Sequence, residues 1–482
     1  MKFPRLHHLL RFGKTTNTSM QKGRPESLVW LILLLGIVFR IWQMFHQVFW
    51  FDEAFTYHIS RLPSSQIIPA VLLDNNPPLY YLLMHIVTLT SSDPLVLRIP
   101  SFLFNLGSVF FMYKITAKIG RINSRALIIS VLFLSPLAVH IGINARLHTL
   151  ASFFISVIVF MFLRVLEKPT VRSTILFLLF SIAGLYTQYY VALIFVPMSA
   201  IVYTDPNRKI RKSWLLLLTV IALAFAPWLM AAAKSSHTVC SCPPTLLALP
   251  ATLASPILNG MGEITLRRYG ELPFPLILFF TVAASFYIFY LLKGIRMNRI
   301  LTLLYLLPLS LVSIAGLAAP LFSPKGFAIF SPIYLALVSV GMSSTKHASK
   351  LILVNLAMFG AINIILLTHP FFAGTPILPL VQIMRASNYA IAHTSPITYY
   401  SSLAYLPNHK QILLTKNPYP TKLVEYIVGT KSDIKEDMFW LVDTQSWVGV
   451  KDRHDALLPI QDRFQSIQEN NFQNVTLFLM KP

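Results

Sequence analysis

Apolar runs recur along the first three quarters of the chain, several of them approaching the roughly 20 residues that cross a bilayer core. Stretches such as Leu28 to Val38 and Leu351 to Leu367 are apolar on every side and show no period-2 alternation. That pattern excludes barrel strands and predicts helices, because lipid offers backbone N–H and C=O groups no partner but each other. Spans are expected near 28–48, 99–113, 126–141, 150–163, 214–232, 274–292, 300–319, 327–342 and 351–368. Residues 174–203 cross twice, around a polar-aromatic turn at Tyr186-Thr187-Gln188. The stretch from Pro78 to Leu89 is apolar but too short to span and reads as an interfacial or re-entrant helix.

After Pro370 the pattern changes: acidic and basic residues nearly balance and no spanning run follows. Short apolar segments at Ile397–Tyr400, Gln411–Leu414, Met438–Val442 and Val475–Met480 suggest strands. Helical patterns at Thr421–Val428 and Ala456–Glu469 lie between them, which predicts a small soluble α/β layer domain. The expected fold class is therefore an all-α polytopic membrane bundle of about 11 transmembrane helices plus an interfacial helix, followed by that domain. The expected division is a basic amino-terminal segment over 1–27, a membrane domain over 28–369 with a first outer loop at 49–98, and the α/β domain over 370–482.

Composition agrees, since 55% of the 482 residues are hydrophobic and 12% charged, against about a quarter charged in soluble domains. The net charge of +22 would suit nucleic acid, but its distribution does not. Basic residues cluster in short connections: Lys114 to Arg125, Arg164 to Arg172, Arg208 to Lys212, Lys293 to Arg299, and Lys346 with Lys350. Placed in the cytoplasm with the basic amino terminus, they satisfy the positive-inside rule through every crossing. The 49–98 loop and the carboxyl-terminal domain then lie outside. Counting Pro78–Leu89 as a crossing would turn every later cluster outward. The first run is too long for a secretory signal and lacks a small-residue cleavage site. Cys240 and Cys242 are too close for an unstrained bridge and read as free thiols.

Carboxylates are scarce before Pro370, and four of them, Asp52, Glu53, Asp74 and Asp93, share the first outer loop. Asp52 and Glu53 come directly after Phe49-Trp50-Phe51. An acid against aromatic surface at the bilayer edge is costly unless it is paired or used, although it also suits the first turn of a helix. Asp74-Asn75-Asn76-Pro77-Pro78-Leu79-Tyr80-Tyr81 joins an acid, amides, a rigid turn and aromatic rings. Asp74, Asn76 and Tyr81 can hydrogen-bond sugar hydroxyls, or can simply build the turn and anchor it at the interface. Arg146 and His148, Tyr186 and Gln188, and Lys325 gather on the same outer face under this topology. Each alone also fits a snorkelling or interfacial role, as does Arg40 within the first span.

In order along the chain, Arg40, Asp52-Glu53-Ala54, Asp74 to Tyr81, Leu97-Arg98-Ile99-Pro100-Ser101, Asn144-Ala145-Arg146 and Leu185-Tyr186-Thr187-Gln188-Tyr189 form a set. That set resembles the C superfamily of integral membrane glycosyltransferases, in its protein mannosyltransferase and aminoarabinose-transferase-like branch. The likeness spans about 28–342. Asn75-Asn76 stands where a His before the two prolines is common, Asn144 where Glu often precedes Ala-Arg, Gln188 where His is usual, and Lys325 where Arg is frequent. A lysine meets phosphate as a point charge rather than in a bidentate fork.

The resemblance implies a polyprenyl-phosphate sugar as donor and a glycan, lipid or protein acceptor arriving from outside, with membrane lipids as surroundings and no nucleic acid. It implies Asp52 as the base, Glu53 as its orienter or a helix cap, and Arg146 and Lys325 as cations for the departing lipid phosphate. Asp74, Asn76, Tyr81, His148, Tyr186 and Gln188 are the expected substrate contacts, and the transfer is expected to invert. No clear metal ligand set is present, and the cofactor requirement stays open. The cell (plasma) membrane is the expected location. A flippase or transporter for lipid-linked sugars, or a glycan polymerase, remains the competing reading; a transporter would carry deep charge in several spans or paired broken repeats.

Overall fold

The computed structural model describes residues 26–47, 49, 51–74, 76–91, 93–120, 124–234, 248–257, 269–318, 322–369, 372, 377–414, 434, 436–444, 450–472 and 475–482. The Cys240 and Cys242 thiols and the Thr421–Val428 helix lie outside them. The chain packs as two compact units, one of Met1–Gln43, Ile99–Lys234 and Cys240–Leu367, the other of Met44–Arg98, Ser235–Val239 and Thr368–Pro482.

The first unit holds the membrane helices. Among the described residues, eight helices of the chain are long and apolar enough to cross a bilayer, the longest Arg208–Lys234 with 27 residues. At 1.5 Å of rise per residue, about 20 residues match the 30 Å hydrocarbon core. The three remaining expected spans are built of shorter pieces: Arg125–Leu134 with Pro136–Ile141, Val171–Leu185, and a 3₁₀ turn Tyr189–Ile194 running into Phe195–Tyr203. Ser135-Pro136 makes the first break, its hydroxyl accepting from the Ala138 N–H while proline occupies the first helical position. Large apolar side chains such as Trp30, Leu34, Phe45 and Phe289 remain outward, as lipid permits. Inside, small residues let backbones meet: a Cβ on Gly294 would lie 1.9 Å from the Leu337 carbonyl, and one on Gly341 2.0 Å from that of Tyr290.

Arg40 does not snorkel. It is fully buried, donating to Asn105 Oδ1 at 2.8 and 3.2 Å and to the carbonyls of Gly36, Phe133 and Ala138 at 2.8 to 3.1 Å, with its guanidinium 4.0 Å from the Phe133 ring centre. The Phe133 carbonyl precedes the Ser135-Pro136 break and the Leu137 N–H goes instead to the Pro256 carbonyl, so the cation meets a group that the helix interruption exposes, while the Ala138 carbonyl also accepts from the Gly142 N–H at 3.2 Å.

In the second unit a five-stranded sheet runs β2-β1-β3-β5-β4, with β1 at Ala390–His393, β2 at Gln411–Leu413, β3 at Phe439–Thr444, β4 at Gln465–Phe472 and β5 at Val475–Lys481. β1 is parallel to β2 and β3, while β5 is antiparallel to β3 and β4. Helix Val450–Gln461 supplies Leu457 and Ile460 to one apolar layer, and helix Ile377–Arg385 supplies Leu380, Val381 and Met384 to another. Ile397–Tyr400 is not a strand. It lies in helix Pro396–Tyr405, where the Ser395 hydroxyl caps the Ile397 N–H and Pro396 opens the helix, and this local start outweighs β-branched and aromatic propensity. The expected helix over Ala456–Glu469 ends at Gln461, and its second half is β4.

Candidate active site

The 49–98 segment folds in the second unit as helices Phe51–Ser60, Ser64–Leu72 and Leu79–Thr88. Leu79–Thr88 is a ten-residue helix, short of a span as its sequence predicts. Asp52 and Glu53 occupy the first turn of Phe51–Ser60, where the helix dipole favours acids. Their environments differ. Glu53 is buried, and both its oxygens accept from Arg98, Oε1 from Nε at 3.0 Å and Oε2 from Nη2 at 2.9 Å. The same guanidinium uses Nη1 on the carbonyls of Met44 and Gln47 at 3.0 and 2.7 Å and lies 5.2 Å from the Phe49 ring centre. Arg98 thus ties the stretch before the helix to the helix itself. Asp52 stays partly exposed, as does His58, while every other residue of Phe51–Ser60 is buried.

The second acid cluster closes locally. Tyr81 donates its hydroxyl to Asp74 Oδ2 at 2.5 Å, and the Asn76 amide donates to the same oxygen at 3.0 Å. Tyr81 is fully buried; Asp74 and Asn76 are half-buried. Ser60 joins the two helices, its carbonyl accepting from Thr88 at 2.9 Å and meeting His85 Nδ1 at 2.8 Å.

The other expected residues belong to the membrane unit. Arg146 occupies the position before helix Leu147–Glu167 in extended conformation, with no side-chain capping bond, and both it and His148 are half-buried. The turn before it is fixed by His140, which bridges the side chains of Gln43 at 3.0 Å and Asn144 at 3.1 Å. Gly142 is required there, since a Cβ would lie 2.9 Å from both Arg40 Nε and Asn105 Oδ1.

The Tyr186–Tyr190 turn meets the Ser323–Gly326 turn. Gln188 donates to the Gly326 carbonyl at 3.2 Å, and the Tyr190 hydroxyl accepts from the Ser323 N–H at 3.1 Å. Lys325 stands exposed on that second turn. Gln188 Oε1 is buried with no hydrogen-bond partner among the described residues. Tyr186 donates its hydroxyl to the Ala224 carbonyl at 3.0 Å, and its ring meets Phe225 edge-on at 5.2 Å.

Arg98 was legible as part of a motif but not as the partner of Glu53. Ser401 and Tyr405, which reach the stretch before Phe51, carried no sequence signal. No group of three His, Cys, Asp or Glu able to hold a metal ion occurs among the described residues.

Residues 75–230 match the sequence profile of the dolichyl-phosphate-mannose-protein mannosyltransferase family. That segment holds Asn76, Tyr81, Arg146, His148, Tyr186 and Gln188, but not Asp52, Glu53, Asp74 or Lys325. A search of curated protein sequences found no match. The fold is that of ArnT from Cupriavidus metallidurans: the apo crystal structure superposes with a TM-score of 0.63 at 10% identity, covering 94% of this chain and 98% of that one. The crystal structure of the same protein bound to undecaprenyl phosphate superposes at 0.61 with 10% identity, covering 95% and 98%. The likeness to the C superfamily expected from the ordered motifs is met by both comparisons.

Proposed function

We propose that this chain is a membrane glycosyltransferase that moves a sugar from a polyprenyl-phosphate donor to an acceptor hydroxyl on the non-cytoplasmic face, with inversion. The observation that carries the reading is the division of labour between two adjacent acids. Glu53 is buried and gives both oxygens to Arg98, and Asp52 is a partly exposed residue on the same helical turn.

Asp52 takes the proton of the acceptor hydroxyl as that oxygen attacks the anomeric carbon. The bond from the anomeric carbon to the phosphate oxygen breaks, and the polyprenyl phosphate departs with the electron pair. Arg146 and Lys325 offset the charge that develops on it. Asp74, Asn76, Tyr81 and His148 are assigned to the substrates, and the spare acceptor of Gln188 suits a sugar hydroxyl. Tyr186 contributes its ring. A lipid-phosphate donor is supported by the undecaprenyl phosphate in the ArnT structure and by the lipid-phosphate sugar in the matching family's description. Purified protein given defined polyprenyl-phosphate sugars and a hydroxyl acceptor is expected to release polyprenyl phosphate in step with glycosylated product. Translocation of the donor across vesicles without cleavage would refute transfer.

The orientation is set by the charge pattern. Single cysteines at Ser64, Asn123 and Ser466 in a cysteine-free background are expected to react with an impermeant thiol reagent on intact cells at 64 and 466 only. Labelling confined to position 123 would invert the assignment.

A further inference from the structure

One distant helix holds both backbone polar groups of Phe49. The Phe49 N–H donates to the Tyr405 hydroxyl at 2.9 Å, and the Ser401 hydroxyl donates to the Phe49 carbonyl at 3.0 Å. Ser401 and Tyr405 are four residues apart on helix Pro396–Tyr405, hence one turn apart on one face, so their hydroxyls can grip the two groups of a single residue. Phe49 is fully buried and sits two positions ahead of helix Phe51–Ser60, which carries Asp52.

Helix Pro396–Tyr405 also supports the Asp52 helix directly. The Tyr400 ring meets Phe51 and Phe55 edge-on, with centroids 5.6 and 5.9 Å apart. His58 Nε2 lies 3.1 Å from the Tyr400 carbonyl. Burial pushes the His58 imidazole down to about 4, so at neutral pH the ring is uncharged and its Nε2–H is the donor. Phe51, Phe55 and His58 recur at i, i+4 and i+7 and form one face of the Asp52 helix. That whole face rests on Tyr400.

A buried N–H outside helix or ladder must find a partner, and Phe49 finds its partner 356 positions along the chain. We propose that helix Pro396–Tyr405 is the mount that fixes Asp52 in its working place, with Tyr405 and Ser401 as positioning residues acting through Phe49. This gives the carboxyl-terminal α/β domain a role in the chemistry without contact to substrate. It rests on the assignment of Asp52 as base, because a base must stand within hydrogen-bond reach of the proton it takes, and a shift of about 1 Å can cost about 100-fold in rate.

Tyr405→Phe keeps the ring and removes only the hydroxyl. Full-length protein in detergent is compared with wild type by turnover, by donor affinity and by backbone hydrogen exchange. The expected result is a fall in kcat of about tenfold or more with donor affinity unchanged. Exchange should speed up in peptides covering 47–60 while β3 and β5 keep their protection. Ser401→Ala should act in the same direction, and it carries the test if Tyr405→Phe does not fold. Wild-type exchange in 47–60 would overturn the mount, and faster exchange with wild-type turnover would overturn its catalytic role. If Asp52→Asn retains activity, the base assignment falls separately, and exchange in 47–60 still decides whether this helix holds Phe49.

Discussion

Asp52→Asn is expected to abolish transfer while leaving fold and donor binding intact. A general base contributes about 100- to 10,000-fold, which is about 3 to 5 kcal/mol at the transition state. Against this stands the other service Asp52 performs, its interaction with the helix dipole, worth about 0.3–1 kcal/mol. Asn keeps the size and much of the hydrogen bonding of Asp, so the stability cost stays at the lower figure and the melting temperature should move by only a few degrees. The two roles therefore separate by magnitude. A base acts on the acceptor in the transition state, so its loss falls on turnover and spares donor affinity. Purified Asp52→Asn protein that transfers sugar near the wild-type rate would eliminate Asp52 as base and leave Asp74 as the next acid to test.

Arg98→Leu is expected to be the most destabilising single change in the 49–98 segment. Arg98 and Glu53 are nearly inaccessible, at 1% and 3% side-chain exposure, and removing one partner of a buried pair typically costs about 3–5 kcal/mol because the other charge stays buried and uncompensated. Here the loss is compounded, since the Met44 and Gln47 carbonyls lose the same donor. Glu53→Gln should be milder, because the amide oxygen can still accept from the guanidinium. The expected order of stability in detergent is wild type, then Glu53→Gln, then Arg98→Leu, read by thermal or denaturant unfolding, with activity tracking the folded fraction. An Arg98→Leu protein that melts with the wild type would contradict the holding role assigned to this pair.

The acid pair after the first span was visible along the chain, and so was the oddity of acids among Phe49, Phe51 and Phe55. That Glu53 is the acid held by a guanidinium was not visible, because its partner lies 45 residues later. Tyr186 is a second such case: its place in a polar-aromatic turn was visible, but that its hydroxyl goes to the Ala224 carbonyl, 38 residues on, was not. Arg40 could have reached the interface or paired within the bundle, and the Asn105 side chain with the Phe133 carbonyl freed at Ser135-Pro136 settles the matter. In the α/β domain, β2, β3 and β5 announced themselves by apolar runs. β4 did not, since it is a largely exposed strand at the sheet edge whose polar residues give no alternation to read.

The sequence by itself determined what depends on length and on near neighbours. Apolar runs long enough for the bilayer became helices, the 174–203 run broke at Tyr186 to Gln188, and the chain left the lipid pattern near Pro370, because spanning and turn formation need only residues within a few turns. Tertiary structure alone decided which polar groups satisfy one another. Arg98 with Glu53, Arg40 with Asn105, and Phe49 with Tyr405 and Ser401 join positions far apart in the chain. Each pairing exists because burial makes an unmet polar group costly, and the fold brings the groups that can meet it.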